Sequence, residues 1–338
     1  MPAHFGLDIS TSTIKVAEAK TSKDGFDLLA FGEIKTPAPL HSNNPQDAAI
    51  IAKALRQLVS DSKIHSREVY LSIPESQVYT RVIQLPVLKD NELESAVKFE
   101  SEQYIPVPLE EVYLEHQVLF MPPPGVTDAK MDVLFVAAKK GVVERLVKIV
   151  QMAEFTPLVV ETALLAAIRS LKGQLGDYSL LVDMGNSSTD IAILQRGSLK
   201  QLSSLPTAGE ALTRSIAQNL SLSEQQARQY KHVYGLSEDQ LEGKISQAMK
   251  EPLDHIVNHI VKNVRFAKSI DTEGRVDQIV LAGGTALLPN LTYYLVDQLN
   301  IEVNLANPLQ NCLNRNLPQQ LVSSAPRFVT VIGLAIRD

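Results

Sequence analysis

The sequence predicts an α/β protein of two similar lobes around one shared ligand site. Three observations carry that reading. Residues 180–194 run strand, acid, small-residue turn, strand, with Asp183 at the mouth and Gly185-Asn186-Ser187-Ser188 in the bend. Residues 5–18 repeat the design, with Asp8 at the mouth and Ser10-Thr11-Ser12-Thr13 in the bend. Near the end, a strand at 276–281 passes through Gly283-Gly284-Thr285 into a helical run at 291–299. With 338 residues, the chain is too long for one ordinary core and suits two or more domains.

Each bend suits a phosphate. Backbone N–H groups in a tight loop form an anion cradle, and Gly185 lets the backbone approach without a β-carbon in the way. Asp8 and Asp183 repel phosphate, so their natural role is to hold Mg²⁺, directly or through water. Lys15 adds a point charge within reach of a phosphate oxygen. One such hairpin is most simply an ordinary turn rich in small residues. Two of one design, each opening half of a chain, point to related lobes facing one ligand. A glycine pair between strand and helix allows close approach of a flat or phosphorylated group.

The remaining elements follow from periodicity and punctuation. A first unit, 1–83, has a third strand at 26–35 and a helix at 46–61 whose apolar residues are helically spaced. Strands at 68–73 and 78–85 are closed by Pro74 and Pro86. An inserted unit, 84–159, starts with a helix capped by Asp90, with Leu93, Ala96, Val97 and Tyr104 on one stripe. Strands at 112–120 and 131–138 are separated by Pro122-Pro123-Pro124-Gly125, and a helix at 141–153 leads to a strand at 158–161. A helix at 162–172 crosses toward the second half, 178–324. There a strand at 197–206 and helices at 208–220 and after Ser223 precede one long helix at 236–269 that contains Pro252. A final apolar helix at 329–336 packs back on the first half.

The three sites, in this order, resemble the phosphate 1, phosphate 2 and adenosine motifs of the actin/Hsp70/sugar-kinase superfamily. Within it, Gly6-Leu7-Asp8 with its hydroxyl turn and Lys15 is similar to the PilM family of type IV pilus assembly. So are Glu100-Ser-Glu102-Gln103-Tyr104-Ile105-Pro106, Asp132 through Lys139, Gly283-Gly284-Thr285 through Pro289, and Val303 through Pro308. The resemblance runs from residue 5 to about 336, and the FtsA family of division proteins shares the general layout.

That resemblance implies an actin-like (ribonuclease H-like) two-lobed fold. Subdomain 1A would span 1–83 with return segments at 160–177 and 325–338. The insertion 84–159 would be an SHS2-type α+β domain, 1C. Domain 2 would follow, with 210–275 as its outer part, 2B. The implied cofactors are ATP and Mg. The resemblance places Ser10, Thr11, Ser12, Thr13, Lys15, Gly185, Asn186, Ser187 and Ser188 at the phosphates, and Asp8 and Asp183 at the metal. It places Gly209, Glu210, Lys231, Gly283, Gly284 and Thr285 at the adenosine. Ser10 stands where this pattern usually has glycine, which puts a β-carbon at the closest approach to phosphate.

The implied partner is the N-terminal cytoplasmic peptide of PilN, an inner-membrane protein, held in a groove between 1A and 1C. Glu100, Gln103, Tyr104, Ile105 and Pro106 would line or shape that groove; the plain alternative makes Tyr104 and Ile105 core. The protein would then link the inner-membrane assembly complex to the motor ATPases, and self-association is compatible with such a scaffold. Hydrolysis needs a residue that orients water. Glu75 and Gln77 lie in the right segment and no motif selects either, so turnover is expected to be slow or absent.

Composition narrows the alternatives. A net charge of −6 argues against a general nucleic-acid binder. The single cysteine, Cys312, fits a reducing cytoplasm. No apolar run reaches the roughly 20 residues needed to span a bilayer, and no signal peptide is visible. The expected location is cytoplasmic, peripheral to the inner membrane through partners, with no direct anchor. A division scaffold like FtsA would be expected to add a membrane-targeting helix after the core, and residues 336–338 follow the last core helix directly. A small-molecule kinase of the superfamily would need a catalytic base and larger insertions around a substrate pocket.

Overall fold

The computed structural model describes residues 4–42, 44–123, 125–126, 128–270 and 274–337. Strand β1 (His4–Ile9) is covered on both faces, with Phe5, Leu7 and Ile9 completely buried. It turns into β2 (Thr13–Ser22), antiparallel, with Leu7 opposite Val16 and Asp8 opposite Lys15. Strand β3 (Gly25–Lys35) completes the meander. Asn44 accepts from the Gln46 backbone N–H and starts α1 (Pro45–Asp61), whose Ile51, Ala52, Leu55 and Leu58 pack in the core of this sheet. Strand β4 (Glu68–Ile73) then runs parallel to β1.

The chain next leaves this sheet. Strands β5 (Val78–Pro86), β6 (Val112–Phe120) and β7 (Lys130–Lys139), with α2 (Asp90–Ser101), build a separate three-stranded antiparallel sheet of order β5-β7-β6. Central β7 is buried on both faces. Met131, Val133, Phe135 and Ala137 join Leu93 and Val97 of α2 in one core. Leu134 points the other way and packs with Leu199 and Leu202 of the second lobe. Helix α3 (Lys140–Met152) returns to the first core through Leu146, Ile149 and Val150, and β8 (Thr156–Thr162) pairs parallel with β4.

Helix α4 (Ala163–Ser170) leads to the second lobe. There β9 (Tyr178–Met184), β10 (Thr189–Gln195) and β11 (Ser198–Leu205) form a second meander. Helices α5 (Gly209–Leu220), α6 (Glu224–Tyr234) and α7 (Lys244–Ser269) follow. Then come β12 (Gln278–Ala282), α8 (Leu291–Leu299), β13 (Glu302–Leu305) and α9 (Gln319–Ser323). The last helix, α10 (Val329–Ala335), packs so closely on α4 that a β-carbon on Gly333 would lie 1.8 Å from the Ala166 carbonyl oxygen. The two large sheets have orders β3-β2-β1-β4-β8 and β11-β10-β9-β12-β13. Each is a meander followed by two parallel additions, so the repeat read from the two hairpins extends to whole sheets.

Several details differ from the sequence reading. The strand expected in the first unit at 78–85 pairs in the three-stranded sheet, and the strand expected in the insertion at 158–161 pairs with β4. Alternation is the same in either sheet, so periodicity could not assign membership. The long helix begins at Lys244 rather than 236, because Gly235, Leu241, Glu242 and Gly243 all adopt positive φ, which no right-handed helix continues through. Pro252 lies inside that helix without ending it. Helix α2 stops at Ser101, and Tyr104 sits in the turn beyond it, its N–H donating to the Ser101 carbonyl at 3.0 Å. Strand β13 and helix α9 were not anticipated. Pro124 of the expected proline loop and Asp338 of the return segment lie outside the described residues.

Candidate functional site

The first hairpin is stiffened by its own side chains. Ser10 Oγ accepts from the N–H groups of Thr13 (3.1 Å) and Ser12 (3.3 Å) and donates to the Thr13 carbonyl at 3.0 Å. Thr36 Oγ1 donates to the Ser10 carbonyl at 2.7 Å, tying the turn to β3. Ser10 is not among the residues with positive φ, so the backbone does not call for glycine here. Thr11 is exposed at the tip, and Ser12 and Thr13 are half-buried. Asp8 accepts from Ser72 Oγ at 2.8 Å and pairs with Lys15 Nζ at 3.3 Å.

The second hairpin is built differently. Asp183 stands opposite Asp190 in the β9–β10 register. Asp190 is satisfied by Ser188 Oγ at 3.0 Å and Ser204 Oγ at 2.5 Å. Among the described residues no side chain hydrogen-bonds to Asp183. Burial pushes the Asp183 carboxyl up to about 7, with the Asp190 and Asp8 charges acting in the same direction and Lys15 opposing. Asp8 and Lys15 of one lobe therefore act on Asp183 of the other across a common cleft. In the bend the Gly185 N–H donates to the Ser188 carbonyl at 3.0 Å, Asn186 is half-buried and Ser187 is exposed.

The bend continues into the residues expected at an adenosine. The Glu210 N–H donates to the Asn186 carbonyl at 2.8 Å, and Thr285 Oγ1 donates to the Gly185 carbonyl at 2.7 Å. Lys231 Nζ donates to the Gly209 carbonyl at 2.6 Å. Burial, then the Arg228 charge, lowers the Lys231 ammonium to about 8. Gly283 has φ +85, and a β-carbon there would stand 2.4 Å from Asp183 Oδ1. Gly284 is exposed at the rim, as is Glu210, which pairs with Arg214 at 3.1 Å. Gly185, Asn186, Gly209, Glu210, Lys231, Gly283 and Thr285, far apart in sequence, thus form one connected constellation.

Three residues with no assigned binding role join it. Asp190 is the buried neighbour of Asp183. Arg327 forms an ion pair with Glu33 of β3, bringing the return segment to the cleft. Glu75 is 5% exposed; its Oε1 accepts from the Leu164 N–H at 3.2 Å and its Oε2 has no hydrogen-bond partner. Its carboxyl is raised to about 7, first by burial, with the Asp190 charge adding to the shift and neighbouring hydroxyls and the Leu164 amide opposing it. The signal for Glu75 was its place directly after the carboxyl end of a parallel strand, where α/β folds collect ligands. Gln77, its companion in the sequence reading, lines a different cavity.

The two hard carboxylates, Asp8 and Asp183, suit a hydrated divalent cation of the Mg²⁺ type. Among the described residues no group of three metal-ligating side chains occurs, so such an ion would complete its shell with water and ligand oxygens.

The five residues expected to line or shape a peptide groove lie at the end of α2 and in the turn after it. Ile105 is buried in the core of the three-stranded sheet. Tyr104 stacks near Phe135 under the Arg81 guanidinium, 3.9 Å from its ring centroid. It lines a cavity of ≈ 280 Å³ shared with Glu75, Leu202, Ser203 and Ser204. Gln103 donates to Glu100 at 3.3 Å on the surface, and Pro106 is exposed. A larger groove of ≈ 940 Å³ does run between the first lobe and the insertion, bordered by His41, Pro74 and Gln77 on one side and Glu110, Glu111 and Lys139 on the other. None of the five is among its lining residues.

Comparison with known proteins bears on this geometry. Among the described residues no helix is long and apolar enough to cross a membrane. The chain is similar to the cell division protein FtsA of Streptococcus pneumoniae serotype 2, 22% identical over 98% of this chain and 79% of that one. It is also similar to FtsA of Bacillus subtilis strain 168, 20% identical over 98% and 82%. Its fold is similar to that of MreB 5 of Spiroplasma citri bound to AMPPNP, with a TM-score of 0.54 and 13% identity over 99% and 96% of the two chains. It is more similar to the structure of the PilM-PilN type IV pilus biogenesis complex, with a TM-score of 0.87 and 26% identity over 99% and 98%. The fold is therefore actin-like. The family model described as type IV pilus assembly protein PilM matches residues 6–338, and the chain belongs to that family.

Proposed function

We propose that this chain is a Mg-ATP-binding scaffold of type IV pilus assembly that holds the N-terminal cytoplasmic tail of a PilN-like inner-membrane protein. The observation that carries the nucleotide reading is Asp183: a half-buried, desolvated carboxylate with no side-chain partner, on which the Lys15 and Asp8 charges of the other lobe act. An acid in that condition awaits a cation. Lys15 and the backbone of residues 10–13 and 185–188 receive the phosphates. Gly209, Glu210, Lys231 and the turn at 283–285 receive the nucleoside. Asp8 and Asp183 would hold Mg²⁺, which neutralises phosphate charge when bound. Glu75, coupled by charge to Asp190, is our candidate to orient a water, and its burial fits slow turnover.

The groove of ≈ 940 Å³ suits an extended peptide, with acids and lysines on its walls for polar ends and Leu40, Val142 and Leu146 for apolar side chains. Glu100, Gln103, Tyr104, Ile105 and Pro106 shape the inserted unit behind this groove rather than contact the peptide. Through the tail the protein would sit on the cytoplasmic side of the inner membrane and connect the membrane complex to the motor ATPases. Isothermal titration with Mg-ATP and with a PilN tail peptide tests both halves. Saturable binding of each is expected, and Gly141→Trp in the groove should abolish the peptide heat while leaving the ATP heat. No heat from Mg-ATP would remove the nucleotide reading; no heat from the peptide would remove the groove reading.

A further inference from the structure

Four glycines surround the cleft, and the fold explains three of them. A β-carbon at Gly283 or Gly209 would come within 2.4 or 2.5 Å of other atoms, and at Gly185 within 3.2 Å of the Ser188 carbonyl oxygen. Gly284 is different. Its φ of −71 and ψ of −31 are open to any residue, and the nearest atom to a β-carbon would be Arg327 Nε at 4.0 Å. Neither backbone nor packing requires the missing side chain. The space it leaves is bordered by one planar cation.

That cation is well anchored. Arg327 sits in the 3-10 turn Ala325–Phe328, and the turn is bound to the glycine pair by the Gly283 N–H, which donates to the Pro326 carbonyl at 2.8 Å. Its guanidinium pairs with Glu33. On the second lobe α6 supplies Lys231 and His232, and burial together with the Lys231, Arg228 and Arg327 charges disfavours a proton on His232. Arg327 is therefore within electrostatic reach of the helix that carries the nucleoside-side lysine.

We propose that Arg327 forms one wall of a purine slot over Gly284, its guanidinium face stacking on the base and its plane set by Glu33. This rests on the nucleotide reading above. A guanidinium stacks on flat π-systems through its face while its edge hydrogen-bonds elsewhere. Here one Nη is held by Glu33 and the charge is balanced, so the group is better suited to a base than to a phosphate. Because Glu33 lies on β3 of the first lobe, a base in the slot touches both lobes.

The test is titration of the full chain with Mg-ATP and, separately, with Mg-tripolyphosphate, which lacks base and ribose. Arg327→Ala is expected to weaken Mg-ATP about tenfold and to leave Mg-tripolyphosphate within about twofold. Arg327→Lys, which keeps the charge and loses the plane, should behave in the same direction and serves if the alanine variant fails to fold. Glu33→Gln should lose part of the ATP preference. An unchanged ATP affinity overturns the inference. So does an equal loss for both ligands, which would put Arg327 at the phosphates. Wild-type protein that binds tripolyphosphate as tightly as ATP overturns the slot alone; wild-type protein that binds neither overturns the nucleotide reading and the slot with it.

Discussion

The two acid-bearing hairpins share one plan and differ in electrostatics. Asp8 is balanced inside its own lobe by Lys15 and Ser72. Asp183 faces a second carboxylate, Asp190, and the serines nearby serve Asp190 instead. The first hairpin is thus complete without a ligand, and the second is not. Asp183 is half-buried, and a desolvated carboxylate without a partner costs free energy until it is protonated or meets a cation. The lesson is that a repeated motif can differ in charge balance: one copy is closed by its own partners, the other is left open to a cation.

The largest effect that follows concerns Mg-ATP affinity. Asp183→Ala is expected to weaken it by on the order of 100-fold, since the unbalanced acid is the cation's main attraction. Asp8→Ala should cost only about tenfold, because it also frees Lys15 for phosphate. Titration calorimetry on both variants decides the matter, and equal losses would break the comparison.

The same pair should respond with opposite signs in stability. In the fold Asp183 is raised from 3.8 to about 7. The folded chain then keeps a proton that the unfolded chain releases, so nucleotide-free stability falls as pH rises from about 4 to about 7 and is level above that. Asp183→Asn removes this loss and should stabilise the protein by about 2 kcal/mol at pH 8, with the gain shrinking toward pH 4. Asp8→Asn should instead destabilise by about 1–2 kcal/mol at pH 8, because Lys15 is left buried without its partner. Denaturant melts across pH would show it, and a stabilising Asp8→Asn would overturn the assignment of the balanced half.

The smallest effect lies in the first turn. Ser10 departs from the glycine usual in this pattern, yet its hydroxyl organises the bend through three hydrogen bonds. Ser10→Gly should therefore weaken ATP binding by about threefold rather than tighten it, through a looser cradle. Tighter binding in the glycine variant would mean that the β-carbon, not the hydroxyl, governs the site.

Much of this was legible from local pattern. The hairpins at 5–18 and 180–194, the helix over 46–61 and the glycine pair at 283–284 each announce themselves within about 15 residues, the range over which periodicity and turn chemistry act. The resemblance carried by Gly6-Leu7-Asp8 and Gly283-Gly284-Thr285 gave the actin-like fold, and the family match agrees. The seam of the insertion was not legible, because a strand such as Val78–Pro86 carries no mark of which sheet will receive it. The turn at 241–243 was missed because left-handed residues other than glycine leave almost no sequence signal.

Sequence alone determined most of the strands, the two bends and the kinds of side chain each bend offers, since these depend on neighbours along the chain. Only the tertiary structure decided that Asp183 lacks a partner, that the buried Asp190 charge acts on the buried Glu75, and that Arg327 meets Glu33 beside Gly284. Those are properties of groups separated by up to 294 positions, and burial and charge act through space rather than along the backbone.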